Sequence, residues 1–182
     1  MLLNVTFFYA ILFIETYGGD CVKLYHGSTV LVKQPEIRTG TTFLDFGAGF
    51  YTTTSYEQAE RWARIKMRRE SAAIGYVASY DFDFDAASGE IAIQTFPSAD
   101  MEWLQFVVKN RRGLPFEVPA DMHVGPVADD NVYQSIRFFE TGVFSAEETV
   151  KRLKTEVLHD QWTFHTAKAL SFCHFASYKE VR

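Results

Sequence analysis

The chain has 182 residues, 47% apolar and 23% charged, and its 17 Phe and 9 Tyr demand a buried core, which excludes intrinsic disorder and suits one domain. A formal charge of -5 argues against general tracking of phosphate backbones. Cys21 and Cys173 lie far apart with no Cys-x-x-Cys pattern, so neither a disulfide framework nor a zinc site is expected.

Residues 2–14 are nearly all apolar, a run too short to span a bilayer comfortably. No basic stretch precedes it, and Thr16-Tyr17-Gly18-Gly19-Asp20 is a poor cleavage site. A buried strand or an extension from an early start codon is therefore favoured over an interfacial or export segment. On that reading residues 1–20 are an apolar extension or strand and residues 21–182 the folded domain. No membrane is involved, and the cysteine usage suits a reducing, cytoplasmic compartment.

From Cys21 to His26, Val22, Leu24 and His26 alternate with Lys23 and Tyr25, the period of a half-buried strand. Gly27-Ser28 turns it, and Thr29 to Val32 is a second apolar run. Thr39 to Gly49 reads as a loop, with Gly40, Gly47 and Gly49 supplying backbone freedom. Phe50 to Thr54 is a short strand. Ser55-Tyr56-Glu57-Gln58 forms a capping box, so a helix runs to about Arg69 with Ala59, Trp62, Ala63 and Met67 inward.

Strands follow from Gly75 to Phe84 and from Glu90 to Phe96, around a turn at Asp85 to Gly89. A helix from about Ala99 to Lys109 buries Met101, Leu104 and Val108. Pro115 and Pro119 bracket an irregular stretch before His123-Val124-Gly125-Pro126-Val127. Asp129 or Asp130 caps a helix carrying Val132, Ile136 and Phe139. Ser145 to Glu148 is a second capping box, opening a helix with Ala146, Val150, Leu153 and Val157 inward. Gln161 to His165 is a strand, Thr166 to Cys173 a short helix, and Phe175 to Val181 a closing strand. Without βαβ regularity the fold class is α+β.

Several motifs have plain structural explanations. Asp45-Phe46-Gly47 matches the kinase metal motif by letters only, and Gly47-Ala48-Gly49 lacks the strand-turn-helix of a dinucleotide fingerprint. The basic clusters Lys66-Met67-Arg68-Arg69 and Lys109-Asn110-Arg111-Arg112 end helices, where cations favour the dipole; an anion or nucleic-acid contact is the alternative. Asp129 and Asp130 suit a helix cap before they suit acid-base chemistry. His26 alone reads as a core imidazole with a structural partner, and Tyr51 alone as one aromatic among many.

Three segments in combination point further. Leu24-Tyr25-His26-Gly27-Ser28, then Asp45-Phe46-Gly47-Ala48-Gly49-Phe50-Tyr51-Thr52-Thr53, then a helix opening with Gln58-Ala59, resemble the ADP-ribosyltransferase superfamily. The likeness is to its diphtheria-toxin and poly(ADP-ribose) polymerase branch, and more closely to an uncharacterised bacterial family placed in that superfamily. It extends through Gly125-Pro126-Val127-Ala128-Asp129-Asp130 and Asp160-Gln161-Trp162-Thr163-Phe164, covering about Lys23 to Tyr178.

The resemblance implies a split pair of small antiparallel sheets with a cleft between them. It implies NAD as substrate, no metal, and transfer of ADP-ribose to a protein, nucleic-acid or small acceptor, in the manner of a bacterial toxin with a small antitoxin-like partner. His26 would hydrogen-bond the adenosine ribose, the Gly27 backbone would hold the nicotinamide amide, and Ser28 would bond nearby. Tyr51 would stack on the nicotinamide ring, with Gly49 and Thr52 lining the dinucleotide. Gln161 stands where the superfamily carries its catalytic glutamate, a departure that bears on catalysis more than on binding. A non-catalytic NAD-, ADP-ribose- or partner-binding module is the alternative.

Overall fold

The structure is a computed structural model that describes residues 21–37, 44–114, 120–127, 130–153 and 159–182. The expectations for the N-terminal run, for Thr39 to Phe43, for Pro115 and Pro119, for Asp129 and for Val157 lie outside those residues.

Strand β1 (Cys21–Ser28) follows the alternation in its sequence: Val22 and Leu24 are buried, Lys23 is exposed, and Lys23 pairs with Asp81 on the neighbouring strand. β3 (Gly75–Asp83) lies antiparallel to β1 on one side and to β7 (Cys173–Val181) on the other, giving a three-stranded sheet. The second sheet orders β2 (Phe50–Thr52), β6 (Asp160–Phe164), β5 (Met122–Pro126) and β4 (Ile93–Thr95). Two sheets with helices around them make the chain α+β.

The second sheet is not purely antiparallel, which corrects the expectation of two antiparallel sheets. β4 and β5 run parallel because α3 (Met101–Arg111) carries the chain across between them. Asp100 caps α3 by accepting the Trp103 N–H at 3.0 Å.

Between β2 and β3, α1 (Tyr56–Glu70) begins at Ser55, whose hydroxyl accepts the Gln58 N–H at 3.2 Å. Ala59 and Ala63 are fully buried, as the helical spacing predicts, but Trp62 is 40% exposed. Small residues are the ones that let this helix approach β1, and the indole falls on its flank. Asp85 to Ser88 is not a turn but part of α2 (Phe84–Ser88), capped by Asp83 through the Ala86 N–H at 3.0 Å. Thr29 to Val32 is irregular, with Val30 exposed. Three further helices are α4 (Asp130–Glu140), α5 (Ala146–Leu153) and α6 (Ala167–Leu170). In α5 the buried positions are Thr149 and Leu153, with Ala146 and Val150 half-buried.

Alternation along β6 sends Trp162 and Phe164 into the core shared by the two sheets, with Leu24, Phe50, Tyr80, Phe82, Met122 and Val124. The opposite face of that sheet meets a second apolar layer built by Phe46, Phe96, Trp103, Leu104, Val132 and Ile136. Both faces are therefore covered. The polar side chains of the outer face, Gln94, His123, Gln161 and Thr163, sit under this aromatic layer, and the last three are buried.

Candidate functional site

The two sheets are joined where β1 touches β2. Tyr25 N donates to Thr53 O at 2.8 Å and Thr53 N to Tyr25 O at 3.0 Å, an isolated bridge. The next residue, His26, sets its Nδ1 2.7 Å from the backbone oxygen of Tyr51. A carbonyl only accepts, so Nδ1 carries the proton and the tautomer is fixed, with Nε2 as the acceptor of the neutral ring. The ring lies 4.7 Å from that of Phe50, and the side chain is half-buried. The two residues singled out from sequence are thus brought together through the Tyr51 backbone.

Gly27 has a packing reason of its own. A Cβ there would stand 1.9 Å from Ala59 O and 2.8 Å from Ala63 N, so only glycine lets α1 close on β1. Ser28 is buried and its Oγ accepts the Val30 N–H at 3.3 Å, shaping the turn after the strand.

The loop before β2 is held residue by residue. Asp45 O accepts Asn110 Nδ2 at 2.8 Å, and Asp45 Oδ1 accepts Arg111 through Nε at 2.8 Å and Nη2 at 2.6 Å. The Arg111 guanidinium lies 4.8 Å from the Tyr133 ring centroid. One member of the second basic cluster therefore serves as a loop anchor at the end of α3. Tyr51 reaches back to the same loop: its hydroxyl accepts the Phe46 N–H at 3.2 Å and donates to Gly47 O at 2.6 Å. Burial raises the Tyr51 pKa, with Asp45 adding to the rise, so the phenol stays protonated and keeps donating. Gly49 passes so close to β6 that a Cβ would meet Phe164 O at 2.5 Å.

Thr52 faces away from this loop. Its hydroxyl donates to Trp162 O at 3.1 Å and it is buried, so its contribution is structural. Gln161 shares its face of the sheet with Thr163, the cross-strand partner of Tyr51. Its Nε2 donates to Pro126 O at 3.1 Å, a carbonyl that also accepts the Trp103 indole N–H at 3.0 Å.

Asp160 points to the other side, as alternation requires. Its Oδ1 accepts the Thr53 hydroxyl at 2.8 Å and the Thr54 N–H at 3.0 Å, and its Oδ2 accepts the Trp162 indole N–H at 2.6 Å. This carboxylate ties β6 to the corner between β2 and α1.

Alternation along the strand puts His165 on the face of Gln161 and Thr163, but no sequence pattern pairs it with His123, which lies on the same face as Tyr51. His123 Nδ1 lies 2.8 Å from His165 Nε2, His165 Nδ1 lies 2.7 Å from Ala48 O, and the Gln94 carboxamide stands 3.1 Å from His123 Nε2. Burial and the neighbouring imidazole push the His123 pKa down to about 3. Burial also lowers that of His165, against opposing pulls from the Ala48 carbonyl and Asp121. Phe46 and Phe106 wall the pair at 5.9 and 4.7 Å from the His123 ring. The residues are 42 apart in sequence, so the only sequence signal was two histidines on inward faces of neighbouring strands.

Among the described residues no group of three or more His, Cys, Asp or Glu is arranged to hold a metal. Cys21 is exposed and Cys173 is buried, both as free thiols. No helix among the described residues is long and apolar enough to cross a membrane.

The scaffold is α+β, with His26 and Tyr51 linked where its two sheets meet. The family model described as Protein of unknown function (DUF3990) matches residues 22–175, and the chain belongs to that family. Comparisons with curated proteins and with solved structures give no match.

Proposed function

We propose that the protein binds NAD at the β1–β2 seam and is an ADP-ribosyltransferase, built on the split-sheet fold of that superfamily. The observation that carries the reading is the His26 Nδ1 bond to Tyr51 O at 2.7 Å, beside the isolated Tyr25–Thr53 bridge that joins the sheets. It fixes a donor-acceptor imidazole next to a half-buried aromatic and a glycine-bearing loop, the combination a dinucleotide needs for ribose, nicotinamide and backbone contacts.

In this reading His26 bonds the adenosine ribose, and Tyr51 offers its ring to nicotinamide while its hydroxyl keeps the loop in place. Gly27 and Gly49 permit close backbone approach, and Ser28 shapes the strand end. Cleavage of the nicotinamide–ribose bond develops positive charge on the ribose, which a catalyst must stabilise. Gln161 brings no charge to that task; its carbonyl oxygen can accept from a ribose hydroxyl, but the side chain is buried at 4% exposure with Nε2 on Pro126 O, which weighs against catalysis more than against binding. Asp160 does not replace it, since its oxygens serve Thr53, Thr54 and Trp162. NAD hydrolysis should therefore be slow, with transfer only to a well-positioned acceptor.

The uncharged Gln161 also favours a second reading, a non-catalytic NAD- or ADP-ribose-binding module. Incubation with labelled NAD and cell lysate, followed by separate protease and nuclease digestion, tests the first. Label on a macromolecule, lost in Gln161→Ala, supports transfer and names the acceptor class. NAD binding without transfer or nicotinamide release would establish the second.

A further inference from the structure

We infer that His123 and His165 are positioning residues, a buried relay whose task is to hold the Ala48 carbonyl and so present the Asp45–Gly49 loop in its ligand-ready shape. The second half of this statement rests on the NAD reading; the first does not. Ala48 O is a pure acceptor, so His165 Nδ1 must donate to it in every protonation state of the pair. With both rings neutral, His123 Nδ1–H donates to His165 Nε2, and the Gln94 amide N–H turns toward His123 Nε2. With one added proton, His165 donates at both ends and His123 Nε2–H donates to the Gln94 carbonyl oxygen. Both patterns keep the bond to Ala48, and only a second proton breaks the link between the rings.

The surroundings keep the relay near its neutral form. Phe46, Phe96 and Phe106 pack against His123, and the charged group facing His165 is Asp121, whose oxygens already accept the Thr166 hydroxyl at 2.9 Å and the Ala92 N–H at 2.9 Å. The loop then has two separate grips from the sheet: Tyr51 on Phe46 and Gly47, and His165 on Ala48. Two grips on adjacent carbonyls fix the direction of the peptide planes, which one could not do. A simple core histidine would need no partner on a functional loop and no second histidine to fix its tautomer.

The test uses side-chain geometry. Asn places its amide nitrogen where histidine has Nδ1, whereas Gln places it near Nε2. Amide exchange at Phe46 and Gly47, whose N–H groups bond Tyr51 Oη and Leu44 O, reports the loop in wild type, His165→Asn, His165→Gln and His165→Ala. His165→Ala and His165→Gln should speed exchange about tenfold, the effect of one lost buried hydrogen bond, and His165→Asn should stay within about threefold of wild type. NAD affinity should fall in the same order. Equal exchange in all four proteins, or equal damage from Asn and Gln, would overturn the relay. If His165→Ala does not fold, the Asn and Gln comparison decides alone. If wild type does not bind NAD, the proposed function fails while the exchange order still decides the relay.

Discussion

Replacing Asp160 by alanine removes a carboxylate that accepts from the Thr53 hydroxyl, the Thr54 N–H and the Trp162 indole N–H at 2.8, 3.0 and 2.6 Å. Thr53 and Trp162 are buried, at 4% and 1% exposure, so water does not replace the carboxylate, although the Thr53 hydroxyl keeps Gln58 Oε1 at 3.2 Å as a second acceptor. A hydrogen bond to a charged acceptor contributes about 1.5–3 kcal/mol net, and a buried donor left unpaired costs about 1–3 kcal/mol. The three contacts share one side chain and are not additive, so the loss should be about 3–4 kcal/mol, or roughly 10 °C in Tm for a domain of this size. Urea unfolding followed by Trp fluorescence measures it, with an unchanged slope confirming that stability alone has moved. A loss below about 1 kcal/mol would refute the structural assignment. So would a fully stable Asp160→Ala protein with ligand turnover abolished, which would make this carboxylate a reacting group.

Three further outcomes are expected. Gly27→Ala should be severely destabilised, by more than about 3 kcal/mol, because the new Cβ stands 1.9 Å from Ala59 O, whereas Gly89→Ala, 4.0 Å from its nearest neighbour, should change stability by less than about 1 kcal/mol in chemical denaturation. His123 is neutral when folded and titrates near 6.5 when unfolded, so the unfolded chain takes up more protons and stability falls as pH drops from about 6.5 towards the folded value of about 3. This loss should reach on the order of 3 kcal/mol at pH 4, and a His123→Gln protein with the same pH dependence as wild type would contradict it. Tyr51→Phe should weaken ligand binding by less than Tyr51→Ala but still measurably, since the hydroxyl bonds Phe46 and Gly47 as well as leaving a ring to stack; calorimetry that finds Phe and wild type identical would detach the loop from the site.

Much of this architecture was legible in local sequence because local physics set it. The Ser55 cap, the alternation of Val22 and Leu24, and the small inward pair Ala59 and Ala63 follow from hydrogen-bond satisfaction and period. The exceptions share one cause, which is tertiary context. Trp62 fits an inward stripe by spacing, yet the close approach over Gly27 admits alanines and displaces the indole. Asp85 to Ser88 looks turn-like, but the Asp83 cap and the burial of Phe84 and Ala87 make it helical. The parallel pairing of β4 with β5 depends on where α3 returns the chain.

The site divides in the same way. His26 and Gly27 on one segment and Tyr51 on another, 25 residues from His26, were singled out because each segment carries distinctive neighbours. The burial of Gln161, the structural engagement of Thr52 and the His123–His165 relay arise only when β6 pairs with β2 and β5. The relay in particular joins residues that no window along the chain contains.

The proposed function stands or falls with NAD binding at the β1–β2 seam through His26 and Tyr51. Calorimetric titration of NAD into wild type, His26→Ala and Tyr51→Ala, each first shown to be folded by its thermal transition, tests it most directly. Saturable one-site binding by wild type, weakened at least tenfold in both variants without loss of fold, is the predicted result. Absence of heat and of any NAD-dependent rise in Tm for folded wild type at millimolar NAD would contradict the account, because stabilisation must follow RT ln(1 + [L]/Kd) wherever the folded state binds the ligand.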